Sequence, residues 1–363
     1  MRPIITSVID ERLVARVVRR VSLTYADGAD AATDRPAHVR AASGLAWVGR
    51  RLAVVQDDAN FIALVDPDTG RADVVTLPAG ARGLRQFDDG RGNKRDKLDL
   101  ESVAAVLFEG TPRLLAIGSG STRRRDHIAT VTNADGPHPV VCLHETRALH
   151  GILRATVSFA GSELNLEGAY QHGAMLRLVG RGNGSPKRGL DPIDATCDVS
   201  LRELFAYLED DRSNDVPTIT AVQQYRLGEI GGIRLTFTDA IDWSVDGNAD
   251  MMLYTAAAEA SPDASRDGWV AGSAIGVVSF RADGASARHA ELRGEDGAPI
   301  VAKVEGIVRH RELRNRVWIV IDVDAHDSPS ELCEVELTGA WRDVLTVGSP
   351  DREAPNHSHS SDG

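Results

Sequence analysis

Aromatic residues make up only 5% of the 363-residue chain, and no apolar run approaches the roughly 20 residues that a membrane-spanning helix needs. Cysteine is scarcer still. Cys142, Cys197 and Cys333 are odd in number, far apart and in no Cys-x-x-Cys pair, which excludes a disulfide framework and a thiolate zinc site. Basic residues are outnumbered, 41 Lys and Arg against 53 Asp and Glu, for a net charge of −12. A surface that coats nucleic acid is therefore not expected, since phosphate backbones attract basic faces. The first ten residues lack the apolar stretch of a secretory leader, so a cytoplasmic location is expected, with neither membrane nor nucleic-acid partners. No Gly-x-Ser-x-Gly string, Walker loop or dinucleotide fingerprint occurs either.

What the chain does have is glycine, 34 residues against 15 prolines, a composition of many tight turns. Short apolar runs lie between these turns. Leu45–Val48, Leu52–Val55, Phe61–Val65 and Asp73–Leu77 read as one four-strand set; Val103–Phe108, Arg113–Ile117, Ile128–Thr132 and Val140–Leu143 read as the next. Helical periodicity stands out only over Leu201–Leu208.

The first strand of each set carries a repeated signature: an oxygen-bearing residue, a very small one, then an apolar one. It occurs as Ser43-Gly44-Leu45, Glu101-Ser102-Val103, Glu167-Gly168-Ala169, Asp239-Ala240-Ile241 and Glu305-Gly306-Ile307, at spacings of 58, 66, 72 and 66 residues. Periods of that length, each holding several strands, predict the blades of a β-propeller. The expected fold is an all-β, five-bladed propeller over residues 1–350, closed by pairing of Val14–Tyr25 with the C-terminal blade. A sixth blade built from both termini is the alternative. Residues 351–363 read as a disordered polar tail.

Four carboxylates and a hydroxyl aimed into one channel repel one another unless a cation or protons compensate. Oxygen-only ligation suits a hard cation, and calcium tolerates irregular ligand sets best, so Ser43, Glu101, Glu167, Asp239 and Glu305 are the expected metal ligands. The loops after each second strand are polar and should share that face. They run from Gln56 to Asn60, Gly118 to Asp126, Gly180 to Gly189, Ala256 to Ala264 and Asp322 to Asp327. Arg123, Arg125, Arg181 and Asn183 on them are candidate ligands for an anionic small molecule. Asp57, Glu259 and Asp322 are candidate acceptors of a water proton.

The series resembles the calcium-activated nucleotidase (apyrase) family, whose inner strands present Ser, Glu, Glu, Ser and Glu in order. The strings Asp99-Leu100-Glu101-Ser102 and Asn165-Leu166-Glu167-Gly168 are also similar to those of bacterial phytase-like and esterase-like propellers. The resemblance implies a five-bladed fold with an axial calcium and hydrolysis of a phosphate ester or anhydride. Lactone or ester hydrolysis is the nearest competing reaction, because it needs fewer arginines. A non-catalytic propeller with a structural calcium is the other class left open.

Overall fold

The computed structural model describes residues 2–209, 215–244, 250–263, 268–281, 284–323 and 327–341. The polar tail, parts of the loops expected over 256–264 and 322–327, and residues 342–350 of the expected domain lie outside these. The chain is all-β and propeller-like. Four runs of four consecutive strands pair as antiparallel meanders, in register with the turn signals between them. They are Ala42–Val48 to Arg71–Thr76, Leu100–Phe108 to Val140–Glu145, Leu166–His172 to Ile219–Arg226, and Ile233–Asp242 to Gly284–Arg293.

A fifth meander, Lys303–Arg309, Arg316–Asp322 and Glu331–Gly339, has three strands of its own. Its fourth comes from the other end of the chain, where Leu13–Ser22 pairs antiparallel with Glu331–Gly339 in the register Leu13↔Gly339 to Ser22↔Glu331. The expected closing strand, Val14–Tyr25, is met as far as Ser22; Thr24–Tyr25 instead runs parallel to Arg71–Thr76 at the outer edge of the first meander. Ile5–Ile9 runs parallel to the outer strands of both the third and fourth meanders, fastening them at the rim.

The apolar faces of each meander meet those of both neighbours, because a strand buried on two sides needs two partners. Val55 and Ile62 pack with Leu100 and Leu114 between the first pair of meanders, and Ile117 and Leu115 with Leu166 and Leu178 between the next. Tyr170 and Val179 meet Phe237 and Tyr254, and Trp243 and Leu253 meet Val304 and Ile319. Leu45 and Val54 then meet Trp318 and Val320, so the last meander packs against the first. Each of these seams buries several large aliphatic side chains, at roughly 1.5–3 kcal/mol apiece before entropy is charged against them.

The expected helix is present as Leu201–Glu209, with Leu201, Leu204, Phe205 and Leu208 buried. A second one, Arg147–Ala155, was not anticipated. Gly151 and the polar flank mask its short apolar stripe, yet Leu149, His150 and Leu153 are buried on one face. Among the described residues, no helix is long and apolar enough to cross a membrane.

Candidate functional site

The first strand of every meander contains one residue more than its partner accommodates. The ladder shifts between Ala42 and Gly44, Leu100 and Ser102, Leu166 and Gly168, Phe237 and Asp239, and Val304 and Gly306. Such a bulge re-aims the extra side chain. The five extra residues are Ser43, Glu101, Glu167, Thr238 and Glu305.

The fourth member therefore moves by one position from the sequence expectation. Asp239 lies just past the bulge and serves its neighbours instead. Its Oδ1 accepts from the Ala240 N–H at 2.7 Å and its Oδ2 from the Ile307 N–H, on the next inner strand, at 2.9 Å. Burial, opposed by these two N–H groups, pushes its carboxyl well above the usual range. A Cβ on Gly168 would come within 2.7 Å of Asp239 Oδ1, so only glycine lets the third and fourth inner strands approach this closely. The Thr238 hydroxyl is buried and donates to Thr255 Oγ1 at 3.0 Å.

Ser43 Oγ donates to Ala41 O at 3.4 Å, and the three bulge glutamates sit in a network that the loops complete. Lys97 Nζ donates to Asp57 Oδ2 at 2.6 Å and lies 2.7 Å from Asp99 Oδ1. Arg125 lies 2.9 Å from Asp99, and the Ser119 hydroxyl donates to the same carboxylate. Ligand oxygens of Asp57, Asp99 and Glu101 all lie within 4.8 Å of one another. Farther round, Arg181 donates to Glu167 Oε1 at 3.2 Å, Glu259 Oε2 at 2.6 Å and Thr236 Oγ1 at 2.9 Å. Lys303 lies 2.5 Å from Glu305. Asn165 holds Glu167 Oε1 with its amide at 2.6 Å, and also donates to the buried Asn183 side chain at 3.3 Å.

Ionised, the six carboxylates of Asp57, Asp99, Glu101, Glu167, Glu259 and Glu305 outnumber the cations Lys97, Arg125, Arg181 and Lys303 by two. The excess falls on the bulge glutamates. Burial, then the charges of Asp99 and Glu167, push Glu101 well above its ordinary value. Burial does the same to Glu305 despite Lys303, and raises Glu167 against the pull of Arg181. Glu167 Oε2 and Glu305 Oε2 are buried without any hydrogen-bond partner. Unpaired buried carboxylate oxygens are costly, and they commonly mark an ion or water site. These donors fit a hard, oxygen-seeking divalent cation: all-oxygen, two charges short and with two buried oxygens unspent.

The structure brings most of the sequence-predicted residues to this face but changes their roles. Arg125 and Arg181 are buried and already paired with carboxylates, so neither has a fork to offer an incoming anion. Arg123 does not join them; it is exposed on the turn over Arg123–Arg125. Burial raises Glu259, but Arg181, Lys303 and the Gly268 N–H hold it down to about 2, which makes it a weak proton acceptor. Asp57 is clamped by Lys97. Asp322 is half-buried opposite Lys303 on the ladder.

Besides Thr238, four charged side chains escaped the sequence reading. Lys97, Asp99 and Lys303 alternate with the bulge glutamates at period two, a spacing that puts them on the same face and was available to find them. Asp58 is the fourth. Burial and the neighbouring Asp57 raise it to about 6 against its ion pair with Arg40, so it changes charge near neutral pH.

A profile for the family DUF6929, described as a family of unknown function, matches residues 38–337. No curated protein sequence matches the chain. Among solved structures it is similar to a glutaminyl cyclase from Myxococcus xanthus, at 10% identity and a TM-score of 0.42, over 92% of this chain and 98% of that one. It is also similar to a chain in a complex of S. cerevisiae dbp5 with nup159 and gle1. There the identity is 7% and the TM-score 0.29, over 81% of this chain and 64% of that one.

Proposed function

The chain belongs to the DUF6929 family, and for this member we propose a five-bladed, calcium-binding β-propeller that hydrolyses a small ester or lactone at the channel mouth. The observation that carries the metal is the excess of two negative charges, with Glu167 Oε2 and Glu305 Oε2 left unpaired. Ser43, Glu101, Glu167, Thr238 and Glu305 would hold it. With Thr238 in fourth place, the order of hydroxyls and carboxylates agrees with the Ser, Glu, Glu, Ser, Glu series of the nucleotidase family that the sequence resembles. Five bulged inner strands, the apolar seams between successive meanders and the packing of the last against the first support the blade number.

Bound there, calcium supplies Lewis-acid polarisation of a substrate oxygen. The chain's own groups do the rest. Lys97, Arg125, Arg181 and Lys303 fix the carboxylates in place. The pairing of Arg125 and Arg181 with Asp99, Glu167 and Glu259 favours an ester or lactone over a phosphate ester, whose charge would need free guanidinium groups.

The test is metal analysis after dialysis against calcium, followed by a hydrolysis screen over lactones, carboxylic esters, nucleotides and phosphomonoesters, with and without chelator. The expected result is one calcium per chain and lactone or ester turnover that chelation abolishes. Calcium without any turnover would leave a ligand-binding propeller, and no bound calcium would overturn the ring assignment itself.

A further inference from the structure

We infer a second, separate site: a phosphate-binding depression on the rim, built from Arg123, Arg124 and Arg147 beside His127. About 460 Å³ of open space is lined by these four residues with Ala81 and Asp96. The protein is strongly acidic, so three guanidinium groups around one hollow stand against its overall charge.

The geometry follows from how the turn is anchored. Arg125 points inward, donating to Ser121 Oγ at 2.6 Å and pairing with Asp99. Arg154, from the helix behind, donates to Gly120 O at 2.6 Å and Thr122 O at 3.2 Å and pairs with Asp126. The Thr146 N–H donates to Asp126 O at 2.8 Å, which ties the start of that helix, and so Arg147, to the same turn. With the backbone clamped and Arg125 directed inward, Arg123 and Arg124 are held outward.

Their partners leave capacity for a ligand. Arg123 has no hydrogen bond or ion pair among the described residues. Arg124 pairs with Asp96, and Arg147 with Glu145 at 3.1 Å, both of the latter side chains being well exposed. Three guanidinium groups against Asp96 and Glu145 leave one positive charge, to which His127 adds none near neutral pH because burial lowers its pKa. Arginine forks suit the oxygens of a phosphate group, and a dianion can be shared between several of them. The ligand class is a phosphate monoester or inorganic phosphate, bound outside the channel.

Titration calorimetry at low ionic strength, with inorganic phosphate and pyrophosphate and with chelator present throughout, keeps this test independent of the calcium reading. Saturable binding is expected, tighter for pyrophosphate and weaker for citrate at matched ionic strength. The double variant Arg123→Gln/Arg147→Gln should lose at least tenfold in affinity while its ligand-free melting temperature stays put, because both side chains are exposed. Asp96→Asn, which frees Arg124, should tighten binding. Absence of saturable binding, an unchanged affinity in the double variant, or citrate binding as tightly as pyrophosphate would overturn the assignment.

Discussion

Around Lys97, where the first and second meanders meet, Asp57, Asp99 and Glu101 face two cations, Lys97 and Arg125. Around Arg181 and Lys303, on the opposite part of the same face, Glu167, Glu259 and Glu305 also face two cations. The two halves have the same charge balance and distribute it differently. In the first, Lys97, Arg125 and Ser119 converge on Asp99 and lower it against its burial, leaving the excess on Glu101. In the second, Arg181 is divided between Glu167 and Glu259. Glu259 becomes firmly ionised, while Glu167 and Glu305 keep unpaired oxygens. In both halves the uncompensated charge lies on the bulge residues. The proposed cation would accordingly sit among the bulge residues, Glu101 included, while Lys97 and Arg125 already occupy Asp57 and Asp99.

The sharpest way to break the second half is Arg181→Met. It strips both Glu167 and Glu259 of their shared partner inside the protein, and removing one side of a buried ion pair costs about 3–5 kcal/mol. Chemical denaturation should show a loss of this size in chelator, partly restored by saturating calcium. A loss below about 1 kcal/mol would mean that the half is not organised by Arg181.

The next effect is in pH. Asp58 is raised to about 6, and Glu101 and Glu305 are raised well above their ordinary values, so the folded state holds protons that the unfolded chain gives up near pH 4. Without metal, stability should fall as pH rises from about 4 through 6 and beyond, by on the order of 2–3 kcal/mol for Asp58 alone. Glu259 works in the opposite sense, and its contribution is lost as pH falls from 4.5 towards about 2. Calcium in place of the protons on Glu101 and Glu305 should flatten the alkaline side. His127, His150 and His289, held by burial below the ordinary imidazole value, add a rise over part of the same range, so the check is the difference from Asp58→Asn. A variant whose stability falls between pH 4 and 6 as steeply as the parent's would contradict the Asp58 contribution.

The smallest effect discriminates between two adjacent residues. Thr238→Val should weaken calcium binding by roughly tenfold, the worth of about one oxygen ligand, with a small change in stability. Asp239→Asn should do the reverse, leaving calcium affinity alone while loosening the junction with Ile307. Calcium affinities that respond to Asp239 and not to Thr238 would restore the original register.

That one-residue difference marks how far the sequence could be read. The strand sets were legible because apolar runs alternate with turn residues, and Leu13–Ser22 could be paired with the last meander because the fifth set lacked a fourth strand. Asp239-Ala240-Ile241 matches the oxygen, small, apolar pattern better than Thr238-Asp239-Ala240, so pattern alone does not find the bulge residue. Only pairing with Asp250–Glu259 reveals where the ladder skips, and in a strand a shift of one turns a side chain to the other face.

Composition, period and turn chemistry by themselves determined that the chain is a ring of β-meanders with an oxygen-rich inner face, since those properties depend on residues near one another in sequence. The partners of that face were decided in three dimensions. Lys97, Arg181 and Lys303 reach carboxylates on several strands, and Arg123 and Arg125, two residues apart, end on opposite sides of one turn. Electrostatic balance acts through space between groups distant along the chain, and no local pattern records which guanidinium is left free.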